Sequence, residues 1–581
     1  MSDQNAEPAS VNDPSLTSLD AGAGSSGSVG VCDAPHSFTG ILKQLGPGLI
    51  IAANIVGSGE LIMTTKTGAQ AGIALLWLIL IGCVIKVFVQ LELGRFTISH
   101  GETTLTSLNR VPGPRLYRDG TDWVFRSPRT FWGKLDQKGI NWIVMVWAFM
   151  MLTTVGQLGG IVGGVGQALS LTIPITGDYQ RMIQIPAEAD IMAYARFREF
   201  GLSSELETER AAREQARMER IGRELDAVEA SRREVILTRA MAGEALVDES
   251  GVSLVTPPTF DDKIWVVAIG VLTSVVLYIG RYRLIERFSV VLVVSFTFIT
   301  LGNVLSLQTT AEYAVSGADI IKGLSFGLPE GSHALTNALA TLGIIGVGAT
   351  ELVSYPYWCL EKGYARNVGP REQSDRWLTN ANGWFRVMKF DAFASMVIYT
   401  VATAAFYVMG VAVLHREGRD PEGMRLVSTL AQSYVPVFGN YAKWLFLLGA
   451  IAVLYSTYLV ANAGNARMVA DFGGVIGLTT RDADGDRRKR LVTIISAVLP
   501  LACVIAYIVF PRPVLLIAIA GLTQAVMLPI LGLSAIYFRD NLTDKRLRPG
   551  AVWNVLLTAS CLILLVTGSW GVFETIRKLL S

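Results

Sequence analysis

Eleven apolar runs, each close to the ~20 residues a helix needs to cross ~30 Å of hydrocarbon, leave this sequence few folds to choose from. They fall near residues 46–67, 73–94, 140–170, 263–280, 288–307, 335–361, 388–414, 440–466, 491–510, 513–537 and 550–573. Inside a bilayer no water satisfies free backbone amides and carbonyls, so such runs become helices and the chain becomes an all-α integral membrane protein. Composition agrees, with 51% hydrophobic and only 17% charged residues over a length of 581.

The same composition excludes several functions. Fifty basic residues against 48 acidic ones provide no bulk positive field for nucleic acid. No G-x-x-x-x-G-K-[ST] loop occurs, so ATP is not the direct energy source; the chain is read as a non-enzyme with no resident cofactor. His36, His100, His333 and His415 sit in polar or flanking segments, which rules out a histidine relay through the membrane. Of five cysteines, Cys83, Cys359, Cys503 and Cys561 lie inside apolar runs and form neither a disulfide framework nor a zinc-spaced set.

Along the chain, residues 1–37 read as a disordered tail rich in Ser, Gly, Ala and Asp, with no signal-peptide pattern. Residues 38–170 carry spans one to three, 171–262 form an extramembrane helical insertion, and 263–581 carry spans four to eleven. Basic residues cluster in alternate connections, at Arg95, Arg110, Arg281, Arg283, Arg371, Arg487, Arg488 and Lys545 among others. By the positive-inside rule those connections are cytoplasmic, as is the N-terminus, in a plasma or inner membrane.

The insertion holds sixteen acids against eleven arginines between Asp178 and Glu249. Its run from Ser203 to Leu237 is one long helix or two, with Met218, Ile221, Leu225 and Val228 at a/d spacing. That row could serve contacts in an oligomer through 178–249. It is barely two heptads long, which favours a helix resting on its own protein.

Where a membrane helix is interrupted, freed backbone groups need protein or a polar cavity, so interruptions point to sites. In the first span Gly57, Ser58 and Gly59 interrupt the apolar run just before Glu60. In the sixth, Gly346, Gly348 and Pro356 flank Thr350 and Glu351. Spans one and six are five apart, the spacing expected of two inverted five-helix repeats that cross at a central site. A carboxylate at mid-membrane costs ~2.5 kcal/mol or more unless it faces water, a cation or a basic partner. Glu60 and Glu351 with Thr350 are therefore candidate cation ligands. The alternative is that the two carboxylates are tied to freed amides and only hold the interrupted segments in shape. Lys86, inside span two, either pairs with a carboxylate or snorkels.

The stretch LGPGLIIAANIVGSGELIMTTKTGAQAGIALLW resembles the first two helices of the Nramp family of divalent metal transporters. TVGQLGGIVGGVGQALSL resembles its third helix, LGIIGVGATELVSYPYW its sixth, ANAGNARMV the end of its eighth and GLTQAVMLPILGLSAIYF its tenth. The resemblance implies a LeuT-type fold with an eleventh helix and the transport of divalent metals, commonly with protons. It also locates departures. The family's Asp-Pro-Gly-Asn falls on Gly57, Ser58, Gly59 and Glu60, and its helix-six metal-binding Met and the three residues after it fall on Thr350, Glu351, Leu352 and Val353. Acidic positions of its third helix fall on Leu158 and Ile161, and a helix-ten glutamine on Met527.

Oxygen ligands in place of a thioether favour a harder cation or relaxed selectivity, and weaken the case for proton symport. Met527 would restore some softness if it lay at the site; in an apolar helix it is ordinarily packing. A chemically different reading has the amides of Gly57-Ser58-Gly59 hold the carboxylate of an amino-acid-like organic substrate. A non-transporting sensor is the third reading.

Overall fold

The computed structural model describes residues 31–119, 122–127, 139–201, 208–280, 282–329, 332–478 and 485–580. Residues 1–30, most of the expected tail, lie outside the described residues. Each of the eleven apolar runs is occupied by a helix. Span one covers 47–71 in three pieces and span two is Leu76–His100. Spans three to five are Trp142–Thr172, Asp261–Ile279 and Tyr282–Leu307. Span six is split into Ser332–Ile344 and Ala349–Lys362, and span seven is Asp375–Met409. Spans eight to eleven are Ala442–Val475, Gly485–Val509, Pro513–Tyr537 and Ala551–Leu580.

Span seven starts at Asp375, well before its apolar run, because its first turns have a partner. Trp377, Ala381 and Trp384 are buried there. The Trp384 ring N–H donates to the Cys32 carbonyl (3.0 Å), and the Ala34 amide donates to Asn380 Oδ1 (3.0 Å). The segment 31–37, placed in the tail by composition, is thus held against span seven.

The interruption of span one takes a form the sequence did not suggest. Pro47–Ile55 is α-helical, Val56–Thr64 widens into a π-helix, and Thr65–Ala71 is α-helical again. A wide turn keeps most amides bonded along the axis and needs less outside help than an unwound loop. Its remaining support comes from span eight. The Gly57 amide donates to Thr457 Oγ1 (3.1 Å), which itself donates to the Ala53 carbonyl (3.1 Å).

Span six is fully broken at 345–348, with Gly346 at φ +54°. A Cβ on Gly346 would lie 3.0 Å from Cys83 Cα and 3.2 Å from the Tyr399 ring, so glycine is required by both conformation and space. The break orphans carbonyls at the end of Ser332–Ile344. Lys86, fully buried in span two, donates to two of them, those of Leu342 and Ile345 (2.7 Å for Ile345). It neither snorkels nor ion-pairs with a carboxylate among the described residues.

The insertion forms the helices Asp178–Ile183, Glu188–Phe200, Thr208–Asp226 and Ala230–Met241, so the long run is two helices. Met218, Ile221, Leu225 and Val228 are buried against Ile185, Ile191, Ile236 and Val255, which use up the a/d row within the chain itself. The insertion is fastened to the segment after span seven. Arg425 donates to the carbonyls of Ile185, Met182 and Val255, and Arg419 pairs with Glu224 (3.3 Å). A small antiparallel sheet at Arg115–Asp119, Asp122–Arg126 and Ile140–Asn141 precedes span three.

Candidate substrate site at the junction of spans one and six

Glu60 lies in the π-helical part of span one and is fully buried. Its Oε1 accepts from the Gly346 amide (3.1 Å) and from the Thr403 hydroxyl of span seven (2.7 Å). Its Oε2, equally buried, has no hydrogen-bond partner among the described residues. The carboxylate therefore ties span one to the break in span six with one oxygen and keeps the other uncommitted.

Glu351 stands in the first turn of Ala349–Lys362, where the helix dipole and free amides favour a negative charge. Its Oε1 accepts from Asn54 Nδ2 of span one (2.7 Å), and Asn54 Oδ1 is buried without a partner. Unlike Glu60, Glu351 is partly exposed. Thr350 donates its amide to Gln524 Oε1 (3.3 Å), and its hydroxyl lies 3.5 Å from that of Thr154. Gln524 Nε2 in turn donates to Gln157 Oε1 (2.8 Å), linking span ten to span three. A Cβ on Gly348 would stand 2.5 Å from Glu351 Oε2 and 2.7 Å from Gln524 Oε1. The missing Cβ leaves room for both side chains beside the broken backbone.

Of the remaining candidates, Gly57, Gly59 and Met527 are closely packed. A Cβ on Gly57 would sit 2.2 Å from Thr457 Oγ1, so span eight fills the place where a ligand side chain would project. The Gly57 amide is also committed to Thr457, which removes it from the set open to an anionic group. Gly59 allows span one to approach span six, a Cβ there lying 3.0 Å from the Ile344 carbonyl. Ser58 lies in the π-helix, and its side chain lies outside what is described. Met527 is fully buried in an apolar cluster with Leu528, Leu531 and Leu564. Leu158 and Ile161 of span three are buried in a second apolar cluster.

Asn54, Thr403, Thr457, Gln157 and Gln524 escaped the sequence reading. Each is a polar residue within an apolar run, and that was the available signal: Gln524 is the only residue of Pro513–Tyr537 with a side-chain amide.

Two interrupted spans thus meet with a carboxylate from each on either side of one break, inside a bundle in which nine helical stretches among the described residues are long and apolar enough to cross a membrane. The molecule is an integral membrane transporter of LeuT-type fold. The family model described as natural resistance-associated macrophage protein-like (Nramp) matches residues 214–574, and the chain belongs to that family. The matched region holds spans four to eleven.

Solved structures similar to the chain include a mutant of the Eremococcus coleocola manganese transporter, at 14% identity and TM-score 0.47, covering 94% of this chain and 98% of that one. Mhp1, a nucleobase-cation-symport-1 family transporter, is similar at 14% identity and TM-score 0.44, covering 94% and 93%. MhsT in complex with L-phenylalanine is similar at 13% identity and TM-score 0.40, covering 93% and 99%. No curated protein sequence matches the chain.

Proposed function

We propose that the protein carries a hard divalent metal cation by alternating access, with Glu351, Thr350 and Glu60 supplying oxygen ligands at the junction of spans one and six and Asn54 assisting. One observation carries the reading: two carboxylates, Glu60 buried and Glu351 partly exposed, flank a single break with only one ammonium nearby, that of Lys86, which donates its hydrogen bonds to carbonyls and forms no salt bridge with either acid among the described residues. A carboxylate left in this setting calls for a counter-charge. The uncommitted Oε2 of Glu60 and Oδ1 of Asn54 are acceptors of the kind a hard cation uses. Among the described residues no group of three or more His, Cys, Asp or Glu side chains gathers. The cation therefore keeps part of its water and takes hydroxyl and amide oxygens, which suits magnesium or manganese better than a soft late metal.

Met527 packs in the core and adds no softness. With Leu158 and Ile161 in apolar surroundings, span three contributes no acid for proton passage, and strong proton symport is not part of the proposal. Uptake down a membrane potential suffices, since each unit charge gains ~2.3 kcal/mol per 100 mV. The basic connections set the N-terminus on the cytoplasmic side, with the insertion outside the membrane on the opposite face.

The test is divalent-ion uptake into vesicles by wild type, Glu351→Gln and Glu60→Gln, with near-ultraviolet circular dichroism to show that each variant is folded. Uptake is expected to fall at least tenfold in Glu351→Gln and to fall in Glu60→Gln. Wild-type uptake in both would end the proposal. Thermal shifts with magnesium, manganese and amino acids separate the substrate classes, since a ligand at a hundredfold its Kd adds ~2.7 kcal/mol.

A further inference from the structure

A cavity of about 600 Å³ opens where span ten ends and span eleven begins, away from the junction of spans one and six. We infer that it is a binding site for one anionic phospholipid. Its polar end holds two guanidiniums, those of Arg539 and Arg548, against the single carboxylate of Asp540. Arg539 is bound to Asp540 through Nε and Nη2 (2.8 and 2.9 Å) and donates Nη1 to Asn554 Oδ1 (3.1 Å). Arg548 donates one Nη2 bond to the Asp540 backbone carbonyl and makes no carboxylate ion pair among the described residues. The polar end therefore keeps a positive surplus of one guanidinium over the single carboxylate, while Arg546, nearby in the chain, is paired with Asp544.

The other end has the opposite character. Thr558 and Leu562 follow Asn554 at i+4 and i+8 on span eleven, with Val555 beside them. From Asn554 to Leu562 the wall runs ~12 Å along the helix axis. From the arginines through Asn554 and Thr558 to Leu562 the lining passes from charged to amide and hydroxyl and then to aliphatic. Val555 and Leu562 are 68% and 57% exposed on a helix long and apolar enough to cross a membrane, so this wall faces hydrocarbon. A free phosphate would use the arginine end alone. A phospholipid uses both, its phosphate at the guanidiniums and an acyl chain along Val555 and Leu562. The amides at the start of span eleven add to the attraction for the headgroup.

The experiment uses the full chain in mild detergent and native mass spectrometry, with phosphatidylglycerol, phosphatidylcholine and inorganic phosphate as separate probes. Phosphatidylglycerol is expected to be retained in preference to phosphatidylcholine and to resist competition by phosphate. Arg548→Gln should lower its occupancy about fivefold, the effect of one basic side chain at a membrane surface. Ala559→Trp fills the apolar stretch without touching the charge and should lower occupancy as well. Circular dichroism checks that both variants are folded.

Equal retention of the two lipids, or occupancy unchanged in both variants, would overturn the inference. Complete displacement by phosphate would make this a free-anion site, and a dimer lost in Ala559→Trp would give the groove to a second copy of the chain; either result also overturns it. No arm depends on transport, so its failure is separable from that of the cation proposal.

Discussion

Replacing Gly57 by alanine probes how closely spans one and eight pack at that glycine. The new Cβ would meet Thr457 Oγ1 at 2.2 Å and Thr457 Cβ at 2.7 Å, both on a helix that cannot retreat alone. Overpacking of this kind costs ~1–3 kcal/mol, and displacing Thr457 from the Gly57 amide leaves a buried donor unpaired for another ~1–3 kcal/mol. A total of about 2–6 kcal/mol is expected. Thr457→Gly alone loses the same hydrogen bond and roughly a few tenths of a kcal/mol of helix propensity. In the double variant the clash is gone and the hydrogen bond is lost only once, so the two costs should not add, and a rescuing coupling of at least about 2 kcal/mol is expected. Unfolding in mixed micelles followed by tryptophan fluorescence measures all four corners of the cycle. Additive costs, or a Gly57→Ala protein within ~0.5 kcal/mol of wild type, would refute the reasoning. The same geometry predicts that Gly57→Asp folds only together with Thr457→Gly.

Lys86→Met leaves the Leu342 and Ile345 carbonyls without their charged donor, a loss of ~1.5–3 kcal/mol for each bond, and faster hydrogen exchange at 342–348 is the readout. Asp391 of span seven accepts from the Gly46 (3.0 Å) and Gly48 (2.5 Å) amides at the start of span one. Asp391→Asn keeps only one acceptor for the two, so exchange at residues 46–50 should rise about tenfold or more; unchanged exchange would remove Asp391 as the anchor. Deleting residues 190–249 spares the Arg425 bonds to Met182, Ile185 and Val255, and vesicle uptake should stay measurable. Complete loss in a folded deletion would show that the insertion gates the carrier.

Asp544, between spans ten and eleven, is held well below the ordinary value of 3.8 by hydrogen bonds from Arg546 and Arg371. A carboxyl lowered in the folded state stabilises above its unfolded pKa, and that stability is lost as pH falls. Asp544→Asn should therefore lower Tm at neutral pH, with the gap to wild type closing below about pH 4. A gap that stays constant with pH would show that the ion pairs are not its source.

Hydropathy runs made the eleven spans legible, and glycines beside acids marked both interruptions. Both features are local, one set by the thickness of hydrocarbon and the other by backbone freedom. Partners were less accessible. Lys86 was given two candidate roles and took a third, because the carbonyls it caps belong to a helix more than 250 residues later. The a/d row at Met218, Ile221, Leu225 and Val228 was visible, but what covers it depended on how four short helices fold together.

Amino-acid order alone determined that this chain crosses a bilayer many times and places two acidic side chains at interrupted helices, because hydrocarbon thickness and backbone freedom act residue by residue. Tertiary packing decided what each acid does. It sealed Glu60 against Gly346 and Thr403, left Glu351 partly open beside Asn54, and set Thr457 against Gly57. Those choices rest on contacts between helices far apart in the sequence, where a fraction of an ångström separates a ligand position from a clash.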